Sequence, residues 1–331
     1  MEWLDSCFDE YALAVQLPDS HCARVSRVHF SMKLGALGED RLLNKILLHL
    51  PRGKDRKVPA GSADDCAIVE ISGSKKYLVL KTDCVVEGVH FLRGTNPSDV
   101  GWKAMMRPLS DFAAASALPK FALITLIAPQ QTNVAWVLGL YRGLRRAGSR
   151  FEVSIVGGET SNTPGPIAVS VTVIGFVEKT RVASRQGGKP GDDLFVTGRL
   201  GSAPEKHLKF TPRIVESRWL TKHFSVHAMM DLSDGLGADL PRLARASKVG
   251  FDIELENLPV ARGATVDSAI SEGEDYELLF AISPRNRNSL QRQWRRKFPK
   301  LPLTRIGALN HKSHLANRKL PRGYVHFQQS R

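Results

Sequence analysis

The sequence predicts an α/β chain of the α+β type in two domains, and three observations carry that expectation. At 331 residues the chain is longer than one ordinary core accommodates. Strand-like apolar runs alternate with stretches of helical periodicity in both halves. Between the halves, GGKPGDD at 187–193 is dense turn chemistry, and a new apolar strand begins directly after it. A boundary near Val182 follows, with domains over 35–181 and 182–331 and residues 1–34 as an extension.

Taken in order, the first element is a helix over 39–50, with Leu42, Leu43, Ile46, Leu47 and Leu50 on one stripe and Pro51 ending it. Residues 1–31 lack sustained periodicity, and Met32, which opens MKLGALGEDRLL, reads as the natural start. Apolar runs at 66–71, 77–80, 121–127 and 167–177 predict strands, with Asp83 ending the second of them in YLVLKTD. Helices are expected over 100–117 and 133–147. The second half repeats the style, with strands near 194–197, 228–231, 251–254 and 276–282 and a helix over 235–246. No short-period repeat is present.

Composition narrows the function classes. With 42% hydrophobic and 24% charged residues the chain is globular in type. No stretch approaches the ~18 apolar residues of a membrane span. Asp5, Asp9 and Glu10 ahead of a short apolar piece are the wrong charge order for a secretory leader, so a cytoplasmic protein is expected. Cys7, Cys22, Cys66 and Cys84 form no CxxC pair and read as reduced thiols. Cys66 and Cys84 each follow an aspartate; they read as small buried apolar side chains, with a redox or thiolate-ligand role as the alternative. A net charge of +14 invites nucleic acid, but the basic residues at 142–150, 285–300 and 312–322 lack the interleaved aromatics of a stacking platform and read as a solvated face.

The carboxylates stand out by position. Asp64 and Asp65 follow the turn residues Gly61, Ser62 and Ala63; Asp111 lies in a helix; Glu159 follows Gly157 and Gly158; Asp231 and Asp234 flank Ser233. Strand ends and their loops are where α/β sheets place sites. Singly, each acid has an ordinary structural reading: Asp234 or Ser233 a helix N-cap, Asp64 a turn former, Asp83 a strand terminator. As a set they suit a hard divalent cation, which takes several oxygen ligands and bridges phosphates, and such a cluster repels itself without one. Neither a GxxxxGK[ST] loop nor a GxGxxG after a strand occurs, so two common ways of holding phosphate are excluded. A GxSxG elbow and paired Cys/His zinc spacing are also absent.

Six short signatures then resemble one family in order and spacing: DDCAIV at 64–69, TDCVVEGVHF at 82–91, LSDFAA at 109–114, MDLSDGL at 230–236, GEDYELLF at 273–280 and GYVHF at 323–327. From about residue 35 to 327 the chain resembles the thiamine-monophosphate kinases, of the superfamily that includes aminoimidazole ribonucleotide synthetase and selenophosphate synthetase. The resemblance implies that superfamily's two-domain fold and a homodimer formed through the N-terminal sheet, with the nucleotide between domains and across the dimer boundary. It implies ATP-dependent, magnesium-dependent phosphorylation of thiamine phosphate to thiamine diphosphate by direct in-line transfer, with no covalent nucleophile. It further implies Asp65, Thr82, Asp83, Asp111, Glu159, Asp231 and Asp234 as ligands of several Mg2+ ions. Gly158, Glu159, Arg185 and Ser233 would contact ATP, and His90, Glu274 and Tyr324 the thiamine phosphate. Read without the family pattern, His90 is a satisfied, partly buried histidine, with Arg185 alternatively a turn-flanking surface cation and Gly158 a turn glycine. Tyr324 offers an aromatic face to the thiazolium cation and Glu274 an acceptor to the aminopyrimidine.

Three departures from the family pattern stand in this chain. Glu159 replaces the usual Asp, Lys81 stands where a serine often precedes Thr82, and the stretch between Gly201 and His207 is shortened. None removes a principal acid. The rival readings are a sister ATP-dependent enzyme acting on another acceptor and a catalytically silent, basic protein that binds nucleotide or nucleic acid.

Overall fold

A computed structural model describes residues 33–49, 64–201, 207–311, 320–321 and 323–324. Residues 1–32 of the expected extension over 1–34, the helix end at 50–51, the turn at 61–63, most of the shortened stretch and residues 325–327 of GYVHF lie outside the described residues. The first elements among the described residues are a short helix α1 (Leu34–Leu37) and the expected helix α2 (Glu39–His49). Leu43 and Ile46 of the expected stripe are exposed.

The first sheet contains β1 (Ala67–Glu70), β2 (Lys76–Val86), β3 (Leu118–Ala128), β4 (Ser154–Asn162) and β5 (Ala168–Glu178), in the order β1-β2-β5-β3-β4. Only β3 and β4 run parallel, joined by the crossover helix α4 (Val134–Arg150), and the other neighbours pair antiparallel. Helix α3 (Pro97–Ala114) covers the same face. Its start is set by Asn96, whose side chain accepts from the Ser98 N–H at 2.9 Å, with Pro97 in the first turn. Strand β5 alternates with the period of a half-buried strand, Val169, Val171, Val173 and Val177 facing the helices.

Two strands of this sheet differ from what the sequence predicts. Asp83 does not end β2: the strand stays in register with β5 from Lys76↔Glu178 to Val86↔Ala168, so Asp83 is an interior residue. Strand β4 was not among the expected strands; it forms through Gly157, Gly158 and Glu159 because β3 supplies a parallel partner.

The second sheet, β7-β9-β6-β10-β8, is wholly antiparallel. Its strands are β6 (Asp193–Thr197), β7 (Val226–Asp231), β8 (Gly250–Ile253), β9 (Leu278–Ile282) and β10 (Leu303–Asn310). Every residue of β6 and β9 is buried, since both faces are covered. One face packs on Leu236, Leu240 and Leu243 of helix α6 (Leu236–Ser247). The other contributes Phe195, Met229 and Phe280 to a core continuous with the first sheet. Helices α5 (Ile214–His223), α7 (Val266–Ser271) and α8 (Arg287–Lys297) and strand β10 were not expected from periodicity. In α8 only Leu290 and Trp294 are buried, too few to stand out among its basic residues. No helix among the described residues is long and apolar enough to cross a membrane.

Candidate active site

Folding brings three of the singled-out acids together from three distant segments. Carboxylate oxygens of Asp65, Asp111 and Asp231 all lie within 4.8 Å of one another, and all three residues are buried. Asp65 precedes β1, Asp111 is in the last turn of α3, and Asp231 ends β7 of the second sheet. The two halves are joined here directly, the Ser110 hydroxyl donating to Asp231 Oδ2 at 2.6 Å.

Such a cluster is electrostatically unfavourable by itself. Burial, then the charge of Asp65, pushes the Asp231 carboxyl up to about 7. Burial also carries Asp111 well above the usual carboxylate range, with Asp83 and Asp231 adding to the effect. Asp65 Oδ2 is buried with no hydrogen-bond partner among the described residues. Three convergent carboxylates, one of which keeps an oxygen without a donor, fit a hard divalent cation.

Basic side chains already meet two of the acids. Arg185 donates to Asp65 Oδ1 from Nε at 3.0 Å and from Nη2, so it is not a surface cation. The neighbouring Asp64 accepts from the Ser184 hydroxyl and from the Arg185 N–H at 3.2 Å, and thereby fixes the loop that carries Arg185. Lys81 Nζ lies 2.8 Å from Asp111 Oδ1. Burial works against that ammonium, but Asp111 and Asp83 hold its pKa above the usual lysine value. The lysine that departs from the family pattern thus sits as a fixed cation on a triad carboxylate.

The strand period separates Thr82 from its neighbours. Lys81 and Asp83 face the helices, whereas Thr82 is exposed on the opposite face, its hydroxyl 3.0 Å from that of Thr172. Glu159 is also exposed on β4, with Oε1 accepting from the Thr160 N–H at 3.0 Å. Thr82 and Glu159 are therefore not gathered with the triad. Gly158 is required by packing: a Cβ there would stand 1.8 Å from the Ile124 carbonyl oxygen.

A second group of residues assembles beside the triad. The Leu232 N–H donates to the Glu277 carbonyl at 2.8 Å, the Glu274 N–H to the Ser233 carbonyl at 2.7 Å and the Tyr324 N–H to the Asp234 carbonyl at 2.9 Å. Three signatures far apart in sequence are thereby stitched backbone to backbone. Neither Ser233 nor Asp234 caps α6. Gly235 occupies the N-cap, and Asp239 Oδ2 accepts from the Ser233 and Asp234 N–H groups at 3.1 and 3.0 Å. Asp234 itself pairs with Arg242.

Glu274, held at a φ of 68°, meets the wholly buried Lys103 at 2.6 Å and His207 at 3.2 Å. Burial opposes its charge, yet the His207 hydrogen bond and the Lys103 ammonium bring Glu274 down to about 2. Lys103 also donates to the His90 carbonyl at 2.7 Å. His90 Nδ1 accepts from the Val86 N–H at 3.1 Å, which leaves Nε2 as the nitrogen able to donate when the ring is neutral. Sequence reasoning missed Lys103, Arg107, His207 and Asp239. The first two could have been found, since Lys103, Arg107 and Asp111 recur every fourth residue along one helix.

Comparison with known proteins agrees with this arrangement. Residues 63–177 match the AIR synthase related protein, N-terminal domain, and residues 181–313 the corresponding C-terminal domain. A thiamine-monophosphate kinase of Rhodopirellula baltica is 34% identical over 83% of this chain and 94% of its own length. That of Aquifex aeolicus is 34% identical over 89% of this chain and 100% of its own. The solved structure of AaThiL complexed with AMPPCP and TMP superimposes with a TM-score of 0.76 at 32% identity, covering 90% of this chain and 99% of that one. With both domains matched and relatives aligned along nearly their whole length, the chain belongs to the thiamine-monophosphate kinase family, within the AIR synthase related proteins.

Proposed function

We propose that this chain transfers the γ-phosphoryl group of ATP to thiamine phosphate, giving ADP and thiamine diphosphate. The buried Asp65–Asp111–Asp231 triad carries the reading, because it joins both halves of the chain around a place suited to a phosphate-bridging cation. The relatives' activity and the AMPPCP and TMP held by AaThiL support it. Asp65, Asp111 and Asp231 would hold Mg2+, with Asp83 and Asp234 extending the acidic surface for further ions. Magnesium in such a place neutralises phosphate charge and orients the transferred group.

Around it the chain's own residues position the substrates. Arg185 and Ser233 would contact the nucleotide from the second half. Gly158, Glu159 and Thr82, on β4 and the open face of the first sheet, would reach it across a dimer boundary. Glu274, ionised by Lys103 and His207, would accept from the aminopyrimidine; His90 Nε2 can donate to the acceptor, and Tyr324 can stack on its thiazolium. The attacking atom is an oxygen of the acceptor phosphate, so no side chain becomes phosphorylated. We place the domain boundary at 181/182, the reaction in the cytoplasm and the working unit as a homodimer.

The test is incubation of the purified chain with ATP, magnesium and thiamine phosphate, following thiamine diphosphate by chromatography beside Asp111→Asn. Product from the unaltered chain, reduced by at least about a hundredfold in the variant, is expected for loss of a metal-binding carboxylate. Bound ATP without any thiamine diphosphate would remove the acceptor assignment.

A further inference from the structure

Lys103, Arg107 and Asp111 stand on one face of α3, four residues apart. The outer two belong to the two groups already described, Lys103 to Glu274 and His90, Asp111 to the acidic triad. Arg107 lies between them. Its side chain is 15% exposed, and its ion-pair partner among the described residues is Asp83, at 3.9 Å from Nη2. That separation is too long for a hydrogen bond. Its Nε is buried without a hydrogen-bond partner among the described residues. Burial works against its charge, and Tyr276, then Asp83, Glu274 and Asp111, work for it, so residues of both groups act on the guanidinium.

A guanidinium has five N–H donors in a planar fork, and here Nε is buried without a partner among the described residues while Nη2 has a carboxylate oxygen only at 3.9 Å. A phosphate oxyanion meets such a fork in bidentate fashion, more completely than Asp83 does here. We propose that Arg107 binds the phosphate of the acceptor and remains on the phosphoryl group as it passes from nucleotide to acceptor. This rests on thiamine phosphate being the acceptor. In the step, a terminal oxygen of the acceptor phosphate forms the new bond to the γ-phosphorus. The bond from that phosphorus to the β–γ bridging oxygen breaks, and its electron pair leaves with ADP. With the acceptor attacking as its phosphate dianion, no proton is gained or lost. Two anions must approach each other in this reaction, and a cation already fixed between them by α3 offsets their repulsion without rearranging.

The experiment compares the unaltered chain with Arg107→Met and Arg107→Lys by calorimetric titration with thiamine phosphate, using thiamine as the phosphate-free control, and by steady-state kinetics. Arg107→Met is expected to weaken thiamine phosphate at least about thirtyfold, as loss of one partner of a desolvated charge pair does, while thiamine changes by less than about twofold. Its kcat should fall as well, and Arg107→Lys should recover part of both. Unchanged thiamine phosphate affinity, or equal loss of thiamine and thiamine phosphate, would overturn the proposal. A third arm separates failure of the acceptor assignment from failure of this one: the thermal shift given by inorganic pyrophosphate. If the unaltered chain binds no thiamine phosphate but is protected by pyrophosphate, and Arg107→Met is not, the phosphate role stands and the acceptor falls. Equal protection of both chains, or of neither, sinks the role of Arg107.

Discussion

At the scale of single residues, Glu274 shows how a buried network sets a charge. Its folded pKa lies below the unfolded carboxylate value, brought to about 2 against the cost of burial by His207 and Lys103. The unfolded chain therefore binds the proton more readily than the folded one. Stability from this group is present above about pH 4.5, the ordinary glutamate range, and is lost as pH falls toward the folded value. Glu274→Gln should melt below the unaltered chain at neutral pH, by an amount that shrinks steadily between about pH 4.5 and 2, because protonated Glu and Gln leave Lys103 equally unpaired. A melting deficit that is constant across that window would show that the charge of Glu274 is not what matters.

At the scale of elements, α3 is the part on which the site depends most, since it bears Lys103, Arg107 and Asp111. Two glycines fix its distance from α4. A Cβ at Gly101 would lie 2.0 Å from the Leu140 carbonyl oxygen, and one at Gly143 would lie 2.0 Å from the Ser98 carbonyl oxygen. Helix backbones approach this closely only where neither carries a side chain at the crossing. Gly143→Ala should push α3 away, costing about 1–3 kcal/mol as overpacking does. It should also lower phosphotransfer although residue 143 lies outside the site, and denaturant melts with parallel assays would read both. Full stability and full activity in that variant would show that the crossing can relax.

For the whole molecule, the open face of the first sheet is the feature a single chain leaves unexplained. Phe121, Leu123 and Val156 are 43%, 39% and 58% exposed on adjacent strands β3 and β4. Thr82, Thr172 and the exposed Glu159 share that face. An apolar patch bordered by polar residues is the usual mark of a protein contact, and pairing through this sheet is what the family resemblance implies. Sedimentation should give a dimer, and Phe121→Lys with Val156→Lys should give a monomer with reduced activity. A monomeric, fully active unaltered chain would refute the pairing.

The division between sequence and tertiary structure follows from the range of the forces involved. Helix periods in α3, α4 and α6 and the β5 alternation are local patterns of burial, legible because each residue's neighbours three, four or two positions away are fixed by backbone geometry. The order of the short signatures identified the family for the same reason, being a property of the chain itself. What the sequence could not decide is where a strand ends and which acids converge. Asp83 read as a strand end because a polar residue follows an apolar run, whereas β5 extends the pairing to Val86. Glu159 and Asp231 were indistinguishable as acids at glycine-rich or strand-end positions. Strand β4 leaves Glu159 on an exposed face, and packing of the second sheet against α3 places Asp231 beside Asp111. By itself the sequence determined the strongly periodic elements, the family and the stock of carboxylates. Only the tertiary structure chose Asp65, Asp111 and Asp231 as the triad and put Lys81 and Arg185 on it, because these contacts span up to 166 residues, from Asp65 to Asp231, and depend on how two sheets pack.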